Sequence, residues 1–414
     1  MPSTYFFLAA TLLLSLNFVR PLGLAISDWL YFVSLGLVLI ETAFLKREDW
    51  ACWTKNRFIL PAGLVLFGAL ISTSRALDVV TAGVEIIQHL YIITIFVSLT
   101  WVMVRRGHTK LIIGAFILSG LFSALVALVD YFSGSTYGLI LSGTPDAQWW
   151  YRYTGTLGHP NKFGYFLVLT SLLTFATFSV KKKAITRWVG DVVLAIQLFA
   201  IYLSASVTAY LGIVIGLGFL IYSIKGLQLK ILKIGMPIVF IGMPIIIALQ
   251  ILDIKNPFPR VQIGNDNLIS LSIDRVEVST ADSRLEIYRQ AWVEIVKSPF
   301  VGVGFDQIST SGINSSSRYL NYAVHNALLQ LFYTGGFFAF TGWLFIYVYI
   351  GLISLKLVIS KSATPLRLGL AAGTLSILLM DQFQDSIYER EKWLVIALLV
   401  SWVWLNEYSK ENSA

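Results

Sequence analysis

Charge is scarce in this chain of 414 residues: 13% are Asp, Glu, Lys or Arg, 56% are hydrophobic, and mean hydropathy is +0.73. Soluble globular domains carry about 25% charged residues, so that class is excluded. Cysteine is scarcer still. Cys52 stands alone, which rules out an intramolecular disulfide framework and a thiolate metal site. The polar loops hold no Asp-x-Asp, no His-x-x-x-His and no other acidic cluster, so neither a metal nor any other cofactor is expected. Internal repeats and low-complexity tracts are also missing. The net charge of +8 would suggest nucleic acid in a soluble protein. Here the basic residues cluster between apolar runs and read as topology signals, so no nucleic-acid partner is expected.

What is present is one apolar run after another, each roughly long enough to cross a ~30 Å hydrocarbon core as helix. Continuous runs such as Ile234 to Leu252 exclude a transmembrane barrel, whose strands are weakly hydrophobic and alternate. The chain therefore reads as an all-α polytopic membrane protein, a single integral-membrane domain over 1–414. Twelve spans are expected, at 4–19, 23–45, 58–72, 79–104, 111–131, 163–180, 188–204, 205–223, 234–252, 324–355, 368–386 and 391–406. The run Tyr5 to Val19 lacks a basic segment before it and a small-x-small site after it, and is kept as an uncleaved first span. Lys and Arg number eighteen in one set of alternate loops and six in the other, with the long 253–323 loop set aside. The positive-inside rule then puts both termini in the cytoplasm and the 253–323 loop outside it, facing the periplasm or the cell exterior.

Two outer segments hold nearly all the water-facing mass, Phe132–Lys162 and Asp253–Ala323. Chemistry on a water-soluble group must lie there or on the span ends beneath. In the longer one, Ser283 followed by Glu286 is a capping box, which predicts a helix starting there with Leu285, Tyr288, Trp292 and Ile295 on one face. Arg284 then falls in the first turn, where free N–H groups and a guanidinium fork together suit a phosphate or diphosphate. Gly302-Val303-Gly304 marks a tight turn or close backbone approach. At the re-entry into the membrane comes His325-Asn326, a titratable imidazole at the boundary with water; free imidazole titrates near about 6.5, which suits a general base. In the shorter segment, Arg152, His159, Asn161 and Lys162 form a polar wall at the approach to the sixth span, and Trp149, Trp150, Tyr151 and Tyr153 are either sugar-stacking surfaces or interface anchors. Within spans, Glu41, Glu85, His89, Asp191 and Asp381 should face the bundle interior or water. Glu85 and His89, one helical turn apart, read as a structural pair.

These stretches occur together, in this order, in a known family. The chain resembles the bacterial O-antigen ligase and O-antigen polymerase superfamily over nearly its whole length, through the strings SRLEIYRQAW, KSPFVGVGF and VHNALLQLFYTGG. The resemblance implies a metal-independent, inverting glycosyltransferase. Its donor would be a glycan on undecaprenyl diphosphate, and its acceptor a sugar hydroxyl of lipid A–core or of another glycan. It further implies that His325 activates the acceptor hydroxyl and that Arg284 binds the diphosphate, with Arg152, His159, Asn161, Lys162, Tyr288, Arg289 and Asn326 assigned to substrate binding. One departure stands out: many ligases carry a second arginine after a Ser or Thr on a middle span, where this chain has Val207. Ligation is the first expectation and repeat-unit polymerisation the second. A lipid-linked sugar transporter is disfavoured, because the polar residues gather on one outer face and do not line the midplane.

Overall fold

The computed structural model describes residues 1–16, 25–44, 56–142, 152–178, 183–223, 280–305, 324–360, 363–384 and 387–411. Among them every regular element is helical: α1 (Pro2–Leu12), α2 (Ile26–Phe44), α3 (Ile59–Thr73), α4 (Val79–Arg105), α5 (Thr109–Ser133), α6 (Tyr137–Ser142), α7 (Pro160–Phe178), α8 (Ala184–Ser204), α9 (Val207–Ser223), α10 (Thr280–Lys297), α11 (Ala327–Ser360), α12 (Pro365–Met380) and α13 (Arg390–Glu411). Five of these, α2, α4, α5, α8 and α11, are long and apolar enough to cross a membrane. The expected run at 234–252 lies outside the described residues, as do Trp149, Trp150 and Tyr151.

Local chemistry explains most of the helix ends. Asp78 caps α4 by accepting the Val80 and Thr81 N–H groups, Pro365 opens α12, and Gly134 closes α5 in the left-handed region. Ala205, at φ 47°, breaks the chain between α8 and α9, so the adjoining runs at 188–204 and 205–223 are two helices. α7 runs through the middle of the bundle, buried from Phe163 to Thr174 and packed against α5, α8, α9 and α12. With apolar groups on every side, such helices gain from close fit and interhelical hydrogen bonds more than from escape from water. Ser376 Oγ donates to the Gly212 carbonyl at 2.8 Å, and Thr174 Oγ1 donates to Gln197 Oε1 at 3.0 Å.

Helices α1 and α13 bring the two chain ends to the same end of the bundle. Ser3 and Arg106 both bond Glu41, and Arg57 meets Glu407 at 2.7 Å. The opposite end is built from the starts of α2, α4, α7, α9, α11 and α13 and the ends of α3, α5, α8 and α12; it is called the site end below. The close of α9 and the start of α10 belong to opposite ends. Ser223 bonds the Val358 carbonyl near the foot of α11, while residues 302–304 after α10 bond its upper part.

Two of the helices depart from the uniform spans expected. α4 widens into a π-turn at Tyr91–Phe96. α11 is interrupted at Gly336, whose φ of 67° and ψ of −167° are open essentially to glycine alone. The interruption frees carbonyls inside the bundle, and the chain after α10 caps them: Val303 N–H donates to Tyr333 O (3.0 Å), Gly304 N–H to Thr334 O (3.2 Å), and Phe337 N–H to Pro299 O (2.8 Å). Ser72 Oγ adds a bond of 2.5 Å to Thr334 O. Irregular backbone at membrane depth survives only when protein satisfies it in this way. The contact is backbone against backbone. A Cβ on Gly302 would lie 2.4 Å from Thr334 O, and one on Gly336 would lie 2.3 Å from Phe300 O. Gly336→Ala is therefore expected to cost at least about 1–3 kcal/mol from backbone strain alone, read as a lowered unfolding midpoint in detergent.

Several expectations are corrected. α10 begins at Thr280, three residues before the predicted capping box, since Thr-Ala-Asp is itself a good first turn with an acid at the positive dipole end. Its inward face is Tyr288, Ala291 and Ile295, and Trp292 is 55% exposed. A helix in this setting has apolar surroundings on two sides, and periodicity does not say which side is protein. α1 stops at Leu12, short of the predicted 4–19, and α12 stops at Met380, short of 386. Of the two alternatives given for Asp191, interior or water, the interior is excluded, since it is exposed in the second turn of α8. Glu85 and His89 are buried but form no hydrogen bond with each other, because the His89 ring packs among aromatic rings.

Candidate functional site

The turn before α11 is fixed from several directions. His325 sits at φ 53°, a conformation rare for a residue with a side chain and often a mark of a functional constraint. On one side Val324 N–H donates to Gln330 Oε1 at 3.1 Å. On the other, Asn326 caps the helix, its Oδ1 accepting Leu329 N–H at 2.9 Å, while its Nδ2 donates to the Gln382 carbonyl at 3.2 Å and to Gln382 Oε1 at 3.3 Å. Ala327 N–H donates to Asp381 O at 2.8 Å. From α10, the Tyr288 hydroxyl lies 3.3 Å from His325 O and 3.4 Å from Gln382 O. These bonds fix the backbone of the turn, and the His325 side chain is half-buried at the site end.

A second cluster stands at the start of α7. Arg152 Nε donates to Ser204 O at 3.1 Å and its guanidinium meets Asn161 Oδ1 at 2.5 Å; His159 Nδ1 accepts Asn161 N–H at 3.1 Å. Lys162 pairs with Glu389 at 2.9 Å, ahead of α13. Burial pushes the Glu389 carboxyl up, but the Lys162 ammonium, a hydrogen bond with Glu391 and the Arg390 guanidinium together hold it below the ordinary carboxylate range. Tyr153 is buried, edge-on to Tyr131 at 5.7 Å, and so serves as packing rather than as a sugar-stacking face.

The segment from Asp381 to Arg390 joins the two clusters. Asp381 gives its backbone carbonyl to the turn before α11, and its carboxylate takes the hydroxyls of Tyr165 on α7 (3.0 Å) and Tyr347 on α11 and the ammonium of Lys392 on α13. Both members of that ion pair are fully buried. Lys392→Met is expected to destabilise the fold by about 3–5 kcal/mol, because it leaves a carboxylate uncompensated. Asp381→Leu together with Lys392→Met should recover part of the loss; thermal unfolding of the two variants measures the difference.

His325, Asn326 and Tyr288 therefore come together, as do Arg152, His159, Asn161 and Lys162, at one end of one bundle. Arg289 is exposed on α10. Arg284 lies in the second turn of that helix, beyond its first unpaired N–H groups, and its side chain lies outside the described residues. Sequence reasoning missed Gln382 and Glu389. The polar string Asp381-Gln382-Phe383-Gln384-Asp385, closing an apolar run, was the available signal. Among the described residues no three His, Cys, Asp or Glu side chains converge as metal ligands would.

Together these features define a helical membrane protein with a polar site at one end of the bundle, built from the turn before α11, the loop helix α10 and the start of α7. Residues 192–344 match the family model described as O-Antigen ligase, a segment that includes α10, His325 and the break at Gly336. No curated protein matches the chain.

Proposed function

We propose that this protein moves a glycan from undecaprenyl diphosphate to a sugar hydroxyl of lipid A–core at the periplasmic face of the bacterial inner membrane. The observation that carries this reading is the family match over the same segment that holds His325 and α10, the two elements joined by Tyr288. In the reaction His325 takes the proton of the acceptor hydroxyl as its oxygen forms a bond to the anomeric carbon. The bond from that carbon to the diphosphate oxygen breaks on the opposite side, inverting the centre and releasing undecaprenyl diphosphate. Arg284 meets the diphosphate charge. Arg152 supplies the cation that the family pattern places at Val207. Its Nε bonds Ser204 O, so the guanidinium rests against the turn that Val207 follows.

The twelve-span arrangement is supported by parity. Ser223 at the end of α9 and residues 302–304 after α10 bond opposite parts of α11, which supports the expected span at 234–252, a run outside the described residues. Both chain ends meeting at the other end fits cytoplasmic termini.

The test is transfer by the purified protein supplied with undecaprenyl-diphosphate-linked glycan and lipid A–core in buffer free of divalent metal. Glycan-bearing lipid A–core is the expected product, and its absence with a folded protein overturns the reading. Repeat-unit polymerisation uses the same donor chemistry, and a deletion strain separates the two. Loss of the ligase removes single-unit caps along with long chains, whereas loss of a polymerase leaves the caps.

A further inference from the structure

Beside the His325 turn lies a second group of buried polar side chains that the transfer step does not use. Glu85 and His89 stand one turn apart on α4, just before it widens into the π-turn. The fully buried His89 ring is boxed by Tyr388, Phe305 and Trp343 at centroid separations of 4.7, 4.9 and 5.3 Å. Among the described residues neither nitrogen of His89, nor Trp343 Nε1, nor Gln384 Oε1 has a hydrogen-bond partner. The Glu85 carboxyl lies against the Tyr388 hydroxyl, yet its Oε2 makes no bond of good geometry.

An aromatic box of this kind would be complete with phenylalanine at its centre. An imidazole with both nitrogens unsatisfied weakens the fold instead, and such exceptions collect where a ligand completes them. π-turns collect at the same places. The donors and acceptors here are an imidazole, a carboxyl, an amide carbonyl, a phenol and an indole N–H, set among ring faces. That mixture matches a saccharide, which offers hydroxyls at its edge and C–H groups on its faces. Glu85 and Gln384 keep 7% and 6% of their surface open, whereas His89 is fully covered. Gln384 is also two residues from Gln382, which holds Asn326.

We propose that Glu85, His89, Gln384 and Tyr388 form a second polar subsite that takes hydroxyl groups of the saccharide acceptor. The choice of acceptor as the source rests on the glycosyl-transfer reading. Full-length His89→Phe in detergent should melt a few degrees higher than wild type while its KM for acceptor rises about tenfold, the worth of one lost hydrogen bond, with little change in kcat. A gain in stability with unchanged KM, or a loss of stability, overturns the subsite.

A donor-free arm uses isosteric Glu85→Gln and a soluble core-type oligosaccharide. The oligosaccharide should raise the wild-type melting temperature saturably and the variant's much less. No shift in wild type, as for a pocket that holds only ordered water, or an equal shift in both, overturns the proposal. If wild type transfers nothing but the shift and its dependence on Glu85 persist, the transferase reading falls and the subsite stands.

Discussion

Replacing His325 by alanine is expected to lower glycan transfer by about 10²–10⁴-fold, the usual worth of a positioned general base, while insertion and abundance stay at wild-type levels. The second half of that expectation comes from the way the turn is built. Several of the bonds that fix it use backbone groups or neighbouring side chains: Val324 N–H, the Asn326 amide, Ala327 N–H and the Tyr288 hydroxyl on His325 O. Removing the imidazole leaves all of them in place. The left-handed backbone at 325 provides a sharper control. Asparagine adopts that conformation more readily than alanine and cannot act as a base near neutral pH, so His325→Asn should fold at least as well as His325→Ala and be equally inactive. Substantial transfer by either variant, with the protein correctly inserted, would remove His325 from the chemistry.

Arg284→Lys is expected to reduce transfer by about 10²–10³-fold, the range seen when one preorganised charge-stabilising donor is lost. Lysine keeps the charge but offers a compact ammonium in place of a planar fork that grips two phosphate oxygens at once. The effect should remain local. α10 is held to the bundle by Ala291 and Ile295 further along, and by the hydrogen bonds that follow it at 303 and 304. If donor turnover by Arg284→Lys matched wild type, Arg284 would be a solvated surface residue, and the cations at Arg152 and Lys162 would have to hold the diphosphate alone.

The helices were legible because a membrane span needs a long apolar run, and eleven of the expected runs coincide with described helices. The clustering of His325 with Asn326, and of Arg152 with Asn161 and Lys162, was legible from adjacency. Features that depend on which apolar surface meets which were not. Trp292 and Ile295 are equally hydrophobic, yet one turns outward and the other inward, since protein and lipid tails present the same chemistry to a side chain. The interruption at Gly336 leaves no mark in hydropathy, and it is recognisable only once the chain at 299–304 is seen lying across it. The pairing of Asp381 with Lys392 was hidden because the predicted span ran to 386 and carried Asp381 inside it. The true end at Met380 turns the chain back, so that the two charges meet.

The way residues 299–304 cover the gap in α11 restricts how this bundle can move. Swinging the loop helix outward by itself would strip Tyr333 O of its Val303 donor and leave Thr334 O only the Ser72 hydroxyl, and an unsatisfied carbonyl within a bilayer costs several kcal/mol. α10 is thereby tied to the stretch 327–335, which Ser72 on α3 and Asp381 after α12 hold to the rest of the bundle. Tyr288 joins His325 to that same unit, so the turn before α11 and the helix bearing Arg284 are braced against each other.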